Sequence, residues 1–241
     1  MTLTPDPRPL APANAFLIIF AKKPVPGQVK TRLSPPLSPA EAAELYHCFL
    51  KDILEEMTGL SGIDVAVAYE PASAKAFFEK LSPEGVKLLV QAEAGLSDRL
   101  IEAAKWGFAQ GYAAVLMRNS DSPDLPGPYI LEGREILAGG RADVVLGPCP
   151  DGGYYLVGLR KPSPEIFHEI SWSTAAVLEQ TLARAAQAGL KTHLLPPWPD
   201  IDAWDELLNF LSRSHAPPAA GWRSHAWARE RLRPYLPKGL E

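Results

Sequence analysis

The chain has 241 residues, of which 46% are hydrophobic and 22% are charged, a composition typical of a globular protein. Its formal net charge of −4 lacks the basic excess of nucleic-acid-binding proteins, so we expect no nucleic-acid partner. The two cysteines, Cys48 and Cys149, exclude a disulfide framework and a zinc-thiolate site. Because the apolar runs are also too short to span a bilayer, we expect a soluble, cytoplasmic protein without stable membrane insertion.

Short apolar runs alternate along the chain with longer amphipathic stretches. This alternation predicts an α/β fold with a mostly parallel sheet. Residues 1–14 contain four prolines and are expected to form a disordered tail that precedes a single domain over residues 15–241. The predicted strands cover residues 16–20, 64–69, 86–91, 113–117, 143–146, 154–159 and 192–195.

Helix signals occupy the segments between these strands. Ser38-Pro-Ala-Glu41 has the pattern of a capping box and predicts the start of a helix that ends at Gly59. Further helices are predicted near residues 174–189 and 202–212 and in a C-terminal extension near residues 217–241. Only residues 147–153 separate two predicted strands, which is too short for a helical crossover, so antiparallel pairing and a mixed sheet are expected there.

Three loops that follow predicted strands contain candidate functional residues, because parallel sheets bind ligands at the carboxyl ends of their strands. Residues 21–33 contain three lysines, an arginine and a glycine, which could bind phosphate groups or form a solvated basic surface. Residues 119–126 contain two aspartates, which suit Mg²⁺ or a helix-capping turn. Residues 147–154 place an aspartate before two glycines, which is also compatible with a simple turn.

Five segments occur in a characteristic order: FAKKPVPGQVKTRL at residues 20–33, SDSPDLP at 120–126, GPCPDGGYYLVGL at 147–159, WST at 172–174 and DID at 200–202. Together they resemble the bacterial nucleotide-diphospho-sugar transferases known as arsenosugar-biosynthesis-type glycosyltransferases. The resemblance covers most of the chain. It implies a three-layer, Rossmann-like glycosyltransferase type A fold, related to molybdenum-cofactor and phospholactate guanylyltransferases.

The resemblance also implies roles for individual residues. Lys22, Lys30 and Arg32 would hold the phosphates of a nucleotide. Asp121 and Asp151 would bind Mg²⁺ or Mn²⁺ and take part in catalysis. The further nucleotide-binding candidates are Gly27, Arg99, Gly152 and Gly153.

Other aspartates have alternative roles. Asp124 is a secondary candidate for the metal site. A glycosyl transfer with inversion needs a carboxylate base for the acceptor hydroxyl, and Asp200, Asp202 and Asp205 are the candidates. We include Asp202 among the expected catalytic residues, whereas Asp205 also fits the first turn of a helix.

Three segments depart from the family pattern, and one of them is Asp200-Ile-Asp-Ala203, which replaces Asp-Val-Asp-Thr. Asn119-Ser-Asp-Ser-Pro123 replaces the usual Gly-Thr-Asp-Cys-Pro, and Gly95-Leu-Ser-Asp-Arg99 replaces Gly-Asp-Leu-Gly-Glu-Arg. Because of these changes, the pattern does not identify the nucleotide-diphospho-sugar that serves as donor. We expect metal-dependent glycosyl transfer from a nucleotide-diphospho-sugar to an unidentified acceptor. The alternatives are a nucleotidyltransferase acting on a nucleoside triphosphate and a phosphorylated substrate, and a non-catalytic nucleotide-binding module.

Overall fold

A computed structural model describes residues 15–213 and 222–237. The predicted tail over 1–14 and parts of the predicted C-terminal extension lie outside these ranges. The strands are β1 (Ala15–Lys22), β2 (Ile63–Glu70), β3 (Lys87–Val90), β4 (Ala114–Arg118), β5 (Val144–Pro148), β6 (Tyr154–Leu159) and β7 (Thr192–Leu194). The helices are α1 (Pro39–Thr58), α2 (Lys75–Leu81), α3 (Leu96–Ala109), α4 (Gly127–Ala138), α5 (Val177–Gln187), α6 (Trp204–Ser212) and α7 (Arg223–Arg231).

One seven-stranded sheet contains these strands in the order β3-β2-β1-β4-β6-β5-β7. The first four strands of that order are parallel to one another, and β7 is parallel to β5. β6 is antiparallel to both β4 and β5, which confirms the pairing predicted from the short connection before it. The carboxyl ends of β1, β2, β3 and β4 therefore lie along one edge, where the candidate loops begin.

Helices cover both faces of the sheet. Successive side chains of a strand point to opposite faces, so Leu17 and Ile19 join the core that contains residues of α1, α4 and α6. Phe16 and Ile18 join a second core with residues of α3 and α5. This three-layer arrangement confirms the predicted fold class. Within the described ranges, no helix has the length and apolarity needed to cross a membrane.

The starts of α1 and α7 have different capping groups. The Ser38 hydroxyl accepts a hydrogen bond from the Glu41 backbone N–H, and the Glu41 carboxylate accepts one from the Ser38 N–H, which confirms the predicted capping box. The start of α7 is bound by a side chain of α1, because the Asp52 carboxylate accepts hydrogen bonds from the backbone N–H groups of Arg223 and Ser224. The C-terminal helix therefore packs on α1.

Candidate functional site

Three distant segments meet at the side chain of Lys30. Its Nζ donates to Asp121 Oδ1 at 2.5 Å, to Asp202 Oδ1 at 2.8 Å and to the carbonyl oxygen of Ile201 at 2.7 Å. These contacts use all three protons of the ammonium group. The Lys30 side chain is only 3% exposed, whereas those of Asp121 and Asp202 are 35% and 40% exposed. The loop after β1 thus fixes the loop after β4 and the segment that precedes α6.

The charges of this cluster influence one another. Burial lowers the pKa of Lys30, but Asp121 and Asp202 outweigh burial and raise that pKa above its ordinary value. Burial raises the pKa of Asp202, but the charge of Lys30 and its hydrogen bond outweigh burial and lower it. Lys30 is therefore a cation and Asp202 an anion near neutral pH.

Asp200 lies beside this cluster and has a different environment. Its Oδ1 accepts hydrogen bonds from Asn119 Nδ2 at 2.8 Å and from Ser122 Oγ at 2.6 Å. Burial, followed by the charge of Asp121, raises the pKa of Asp200 to about 6. Asp200 therefore gains a proton more readily than an exposed aspartate does.

A cavity of about 590 Å³, here called the cationic cavity, opens above the ends of β1 and β2. Lys22, Lys30 and Arg99 supply its positive charges, and the carboxylates Glu70, Asp121 and Asp202 belong to the same lining. Glu70 lies 3.3 Å from Lys22 Nζ and accepts a hydrogen bond of 2.6 Å from Arg99 Nη1. Arg99 also donates to Gln91 Oε1, so the last residues of β1 and β2 and the residue after β3 are connected in one polar network.

A second cavity of about 550 Å³, here called the apolar cavity, adjoins the first. Leu100, Met117 and Val157 belong to its aliphatic lining, and Tyr154 and Trp172 belong to its aromatic lining. Asp151, Asp200 and Asp202 line it as well. The residues that line both cavities are Phe20, Leu96, Asn119, Ser173 and Asp202.

Arg118, at the end of β4, supports the acidic loop from within the protein. The residue is 1% exposed, and its guanidinium donates to the carbonyl oxygens of Asn119 at 3.0 Å and Ser122 at 2.6 Å. Burial lowers its pKa to about 10, so the group still carries a positive charge at neutral pH. The sequence analysis missed this residue because the predicted strand ended one residue earlier and because no pattern distinguishes a buried arginine from an exposed one.

The structure brings most of the predicted residues to the two cavities. Arg32 lines the apolar cavity together with Asp151 and Gly153. Gly27 lines neither cavity and has a positive φ of 76°. Gly152 has a φ of 90°, and a Cβ atom there would lie 2.2 Å from the carbonyl oxygen of Ala175. Gly152 therefore permits two loops to pack closely.

Asp124 and Asp205 lie outside both cavities. The side chain of Asp124 is fully buried, 3.0 Å from Arg213 Nη2, and it accepts a hydrogen bond from Trp198 Nε1. We therefore leave Asp124 out of the metal site proposed below. Asp205 lies in the first turn of α6, where Glu206 accepts hydrogen bonds from the backbone N–H groups that precede the helix.

The predicted metal ligand Asp151 lines only the apolar cavity, so Asp121, also a predicted ligand, and Asp202, predicted as a catalytic residue, fit a divalent cation best. Each has a second carboxylate oxygen without a hydrogen-bond partner in the described part of the chain, and each lines the cationic cavity. Across residues 15–213 and 222–237, no group of three or more His, Cys, Asp or Glu side chains is arranged to hold a metal by itself. Mg²⁺ is compatible with this pair, since it usually takes one or two carboxylates and completes its shell with water and phosphate oxygens.

The sequence profile of DUF2064, described as an uncharacterized protein family conserved in bacteria, matches residues 53–174. The chain belongs to this family. It is similar to a Desulfovibrio desulfuricans G20 protein whose crystal structure bears the provisional description nucleotide-diphospho-sugar transferase. The two are 30% identical with a TM-score of 0.83, over 92% of this chain and 96% of the other. No curated protein matches the chain.

Two more distant structures show the same fold. The 4-diphosphocytidyl-2C-methyl-D-erythritol synthase of Anaerococcus prevotii DSM 20548 is 11% identical with a TM-score of 0.56, over 84% of this chain and 97% of the other. A CMP:2-keto-3-deoxy-manno-octonic acid synthetase complexed with CTP is 13% identical with a TM-score of 0.51, over 79% and 93% of the two chains. The resemblance is thus confirmed at the family level, and a role in arsenosugar biosynthesis stays a prediction.

Proposed function

We propose that this DUF2064 protein is a transferase that uses a nucleotide-diphospho-sugar and Mg²⁺ or Mn²⁺ to glycosylate a hydroxyl acceptor. The observation that carries this proposal is the contact of Lys30 with Asp121 and Asp202 at the carboxyl edge of the sheet. The neighbouring Lys22 and Arg99, which share Glu70 as their partner, offer basic groups to a diphosphate in the same cavity. The description of the Desulfovibrio relative agrees with this substrate class.

The proposed reaction follows from the charges of the two cavities. The acceptor oxygen forms a bond to the sugar C1, and the bond from C1 to the diphosphate oxygen breaks with its electron pair moving to the diphosphate. Lys22, Lys30 and Arg99 stabilise the negative charge that develops there. A divalent cation bound by Asp121 and Asp202 would neutralise diphosphate charge further.

The proton of the acceptor hydroxyl goes to a carboxylate of the apolar cavity. Asp151 and Asp200 both line that cavity. The proposed metal role of Asp202 leaves these two as the base candidates in the structure. Asp200 has the raised pKa that makes a carboxylate a better proton acceptor.

A nucleotidyltransferase is the second candidate. The cationic cavity presents three positive side chains, Lys22, Lys30 and Arg99, which also suit a nucleoside triphosphate. In that reaction a phosphate oxygen of the second substrate attacks the α-phosphorus, and pyrophosphate leaves. The same residues would then stabilise the pyrophosphate.

A thermal-shift panel separates these candidates. Nucleotide-diphospho-sugars and nucleoside triphosphates are each tested with Mn²⁺ and with a chelator. A ligand at 100 times its dissociation constant stabilises the native state by about 2.7 kcal/mol, which corresponds to about 5 to 11 °C for a chain of this size. We expect a Mn²⁺-dependent shift with one diphospho-sugar, whereas a response only to triphosphates would favour the second candidate.

Variants locate the site. Asp121→Asn and Asp202→Asn should lose the Mn²⁺-dependent shift, while Asp98→Asn should keep it because Asp98 is exposed and lines neither cavity. Equal shifts in all three variants would place the nucleotide elsewhere. Binding without donor consumption in the presence of candidate acceptors would indicate a non-catalytic nucleotide-binding module.

A further inference from the structure

The two cavities meet at the side chains where group transfer would occur. Asp202 lines both cavities and contacts Lys30 on the side of the cationic cavity. In the proposed function the phosphates lie beside Lys22, Lys30 and Arg99, and the adjoining apolar cavity is taken as the site of the second substrate. This step rests on the proposed function, whereas the binding chemistry of the apolar cavity does not depend on it.

The lining of the apolar cavity is continuous with the core between the sheet and helices α3 and α5. Leu100, Met117 and Val157 belong to that core and are at most 6% exposed. These three side chains leave almost no surface for a ligand, whereas Leu96 is 41% exposed and Trp172 is half-buried, and both present apolar surface to the cavity. A ligand that contacts these side chains gains by covering apolar surface, which a fully hydroxylated molecule does poorly.

The aromatic wall of the cavity is held in place before any ligand binds. Trp172 Nε1 donates to Ser97 Oγ at 2.8 Å, and this hydroxyl donates to the carbonyl oxygen of Phe167 at 2.6 Å. The rings of Trp172 and Tyr154 lie 6.2 Å apart in an edge-to-face arrangement. A flat apolar ring can pack against such a fixed aromatic surface with little loss of side-chain freedom.

Polar groups of the cavity come from its loops. Asp151, Asp200 and Asp202 are hydrogen-bond acceptors there, and Asn119 and Arg32 are donors. We propose that the apolar cavity binds an alcohol or phenol with an apolar ring, which contacts Trp172 and the aliphatic lining while its hydroxyl faces the carboxylates. In the proposed reaction this compound is the glycosyl acceptor. Its class is therefore an apolar ring alcohol and not a free sugar.

The test measures binding of two probes by isothermal titration calorimetry. The probes are 2-naphthol, an apolar ring alcohol, and D-glucose, a polyhydroxylated ring of smaller apolar surface. We expect 2-naphthol to bind at least ten-fold more tightly than D-glucose. Tighter binding of D-glucose would overturn the proposal and identify a sugar acceptor site.

Substitutions of Trp172 test the location. Trp172→Ala should weaken 2-naphthol binding at least five-fold, and Trp172→Phe should bind within about two-fold of the native protein because it keeps an aromatic ring. Trp106→Ala is the matched control, since Trp106 is also half-buried and packs on the same core but lines neither cavity. Equal affinity of the Trp172→Ala and Trp106→Ala proteins would contradict the proposal.

A second variant covers the case in which Trp172→Ala does not fold. Ala175 is an exposed lining residue, so Ala175→Trp should obstruct the cavity without disturbing the core and should reduce 2-naphthol affinity at least five-fold. Unchanged affinity would overturn the proposal. The Mn²⁺-dependent nucleotide shift is recorded separately on the native protein. Its absence, with Trp172-dependent 2-naphthol binding present, would reject the proposed function while the ring-alcohol site stands.

Discussion

The ammonium group of Lys30 balances the negative charges of two carboxylates, Asp121 and Asp202. Its substitution should therefore affect stability as well as ligand binding. In Lys30→Met, Asp121 and Asp202 lose the ammonium group that now lies between them. We expect the free energy of unfolding to fall by about 1 to 3 kcal/mol. This is less than the roughly 3 to 5 kcal/mol expected when a buried pair is broken, because both carboxylates are more than a third exposed. Urea denaturation measures the change.

The divalent cation gives this prediction a second readout. Mn²⁺ should raise the melting temperature of Lys30→Met more than that of the native protein, because the carboxylates then lack their internal cation. Lys75→Met is the control, since Lys75 is 67% exposed and forms only a surface pair with Glu79. Surface pairs of this kind contribute roughly 0 to 1 kcal/mol. A loss for Lys30→Met no larger than that of the control would contradict the proposed compensation.

Asp124 should matter for stability and not for nucleotide binding. Its fully buried carboxylate lies 3.0 Å from Arg213, so Asp124→Asn leaves a partly buried guanidinium without its charge partner. We expect the free energy of unfolding to fall by about 2 to 4 kcal/mol, with the Mn²⁺-dependent nucleotide shift retained. Asp121→Asn should show the opposite pattern, because Lys30 still contacts Asp202 and Ile201. If Asp124→Asn abolished the Mn²⁺-dependent shift in melting temperature with nucleotide, Asp124 would be a metal ligand and not only a structural residue.

The candidate loops could be predicted from sequence, but their pairing could not. Lys30 and Asp121 follow strands, and the rule that ligands bind at the carboxyl ends of strands was enough to select both. The contact of Lys30 with Asp202 joins residues 172 positions apart, so it depends on the complete path of the chain. Trp172 likewise lines the apolar cavity with a hydrogen bond to Ser97, a residue 75 positions away in the chain.

At the scale of secondary structure, Gly152 allows its loop to pack closely against the loop that contains Ala175. A Cβ atom there would overlap the backbone of Ala175, and the φ of 90° is unfavourable for other residues. We expect Gly152→Ala to lower the free energy of unfolding by more than about 2 kcal/mol, because steric overlap adds to the roughly 1 to 3 kcal/mol of backbone strain. Urea denaturation measures this change, and 2-naphthol binding should weaken in the same protein.

Gly27→Ala is the matched control for Gly152→Ala. Gly27 also has a positive φ, but a Cβ atom there would have nothing within 4 Å. The free energy of unfolding of Gly27→Ala should therefore fall only by the roughly 1 to 2 kcal/mol that a left-handed backbone conformation costs. Equal losses in the two variants would show that the approach of Gly152 to Ala175 contributes nothing.

Two helix starts differ from the sequence prediction for a local reason. α5 begins at Val177 and not near residue 174, because the Thr174 hydroxyl donates to the carbonyl oxygen of Ser171 and accepts from the Ala176 N–H. These bonds make a turn where the apolar pattern alone suggested helix. α6 begins at Trp204, after Asp202 has turned toward Lys30. By contrast, β6 was predicted with the bounds that the structure has.

At the scale of the whole molecule, the C-terminal helix is attached to the domain away from the two cavities. α7 contributes Ala228 to the core that contains α1, and Leu232 directly follows this helix in the same core. None of the described residues after Arg213 lines either cavity. The C-terminal segment should therefore contribute to stability without direct contact to a ligand.

Asp52 allows this separation to be tested. Its carboxylate is 1% exposed and accepts hydrogen bonds from the backbone N–H groups of Arg223 and Ser224 and from the Ser224 hydroxyl. Asp52→Ala leaves these donors unpaired at the start of α7, so we expect the free energy of unfolding to fall by about 2 to 4 kcal/mol in urea denaturation. Glu44→Ala removes an exposed contact between α1 and Trp227 and should cost less than about 0.5 kcal/mol.

Ligand affinities of the Asp52→Ala protein show whether the contact between α7 and α1 influences the functional site. The Asp52→Ala protein should keep the affinities of native protein for 2-naphthol and for nucleotide with Mn²⁺ when both are measured well below its melting temperature. This follows because α7 packs on α1 and α6, and none of its residues lines either cavity. A loss of affinity without global unfolding would mean that α1 transmits the position of α7 to Tyr46, the residue of α1 that lines the cationic cavity.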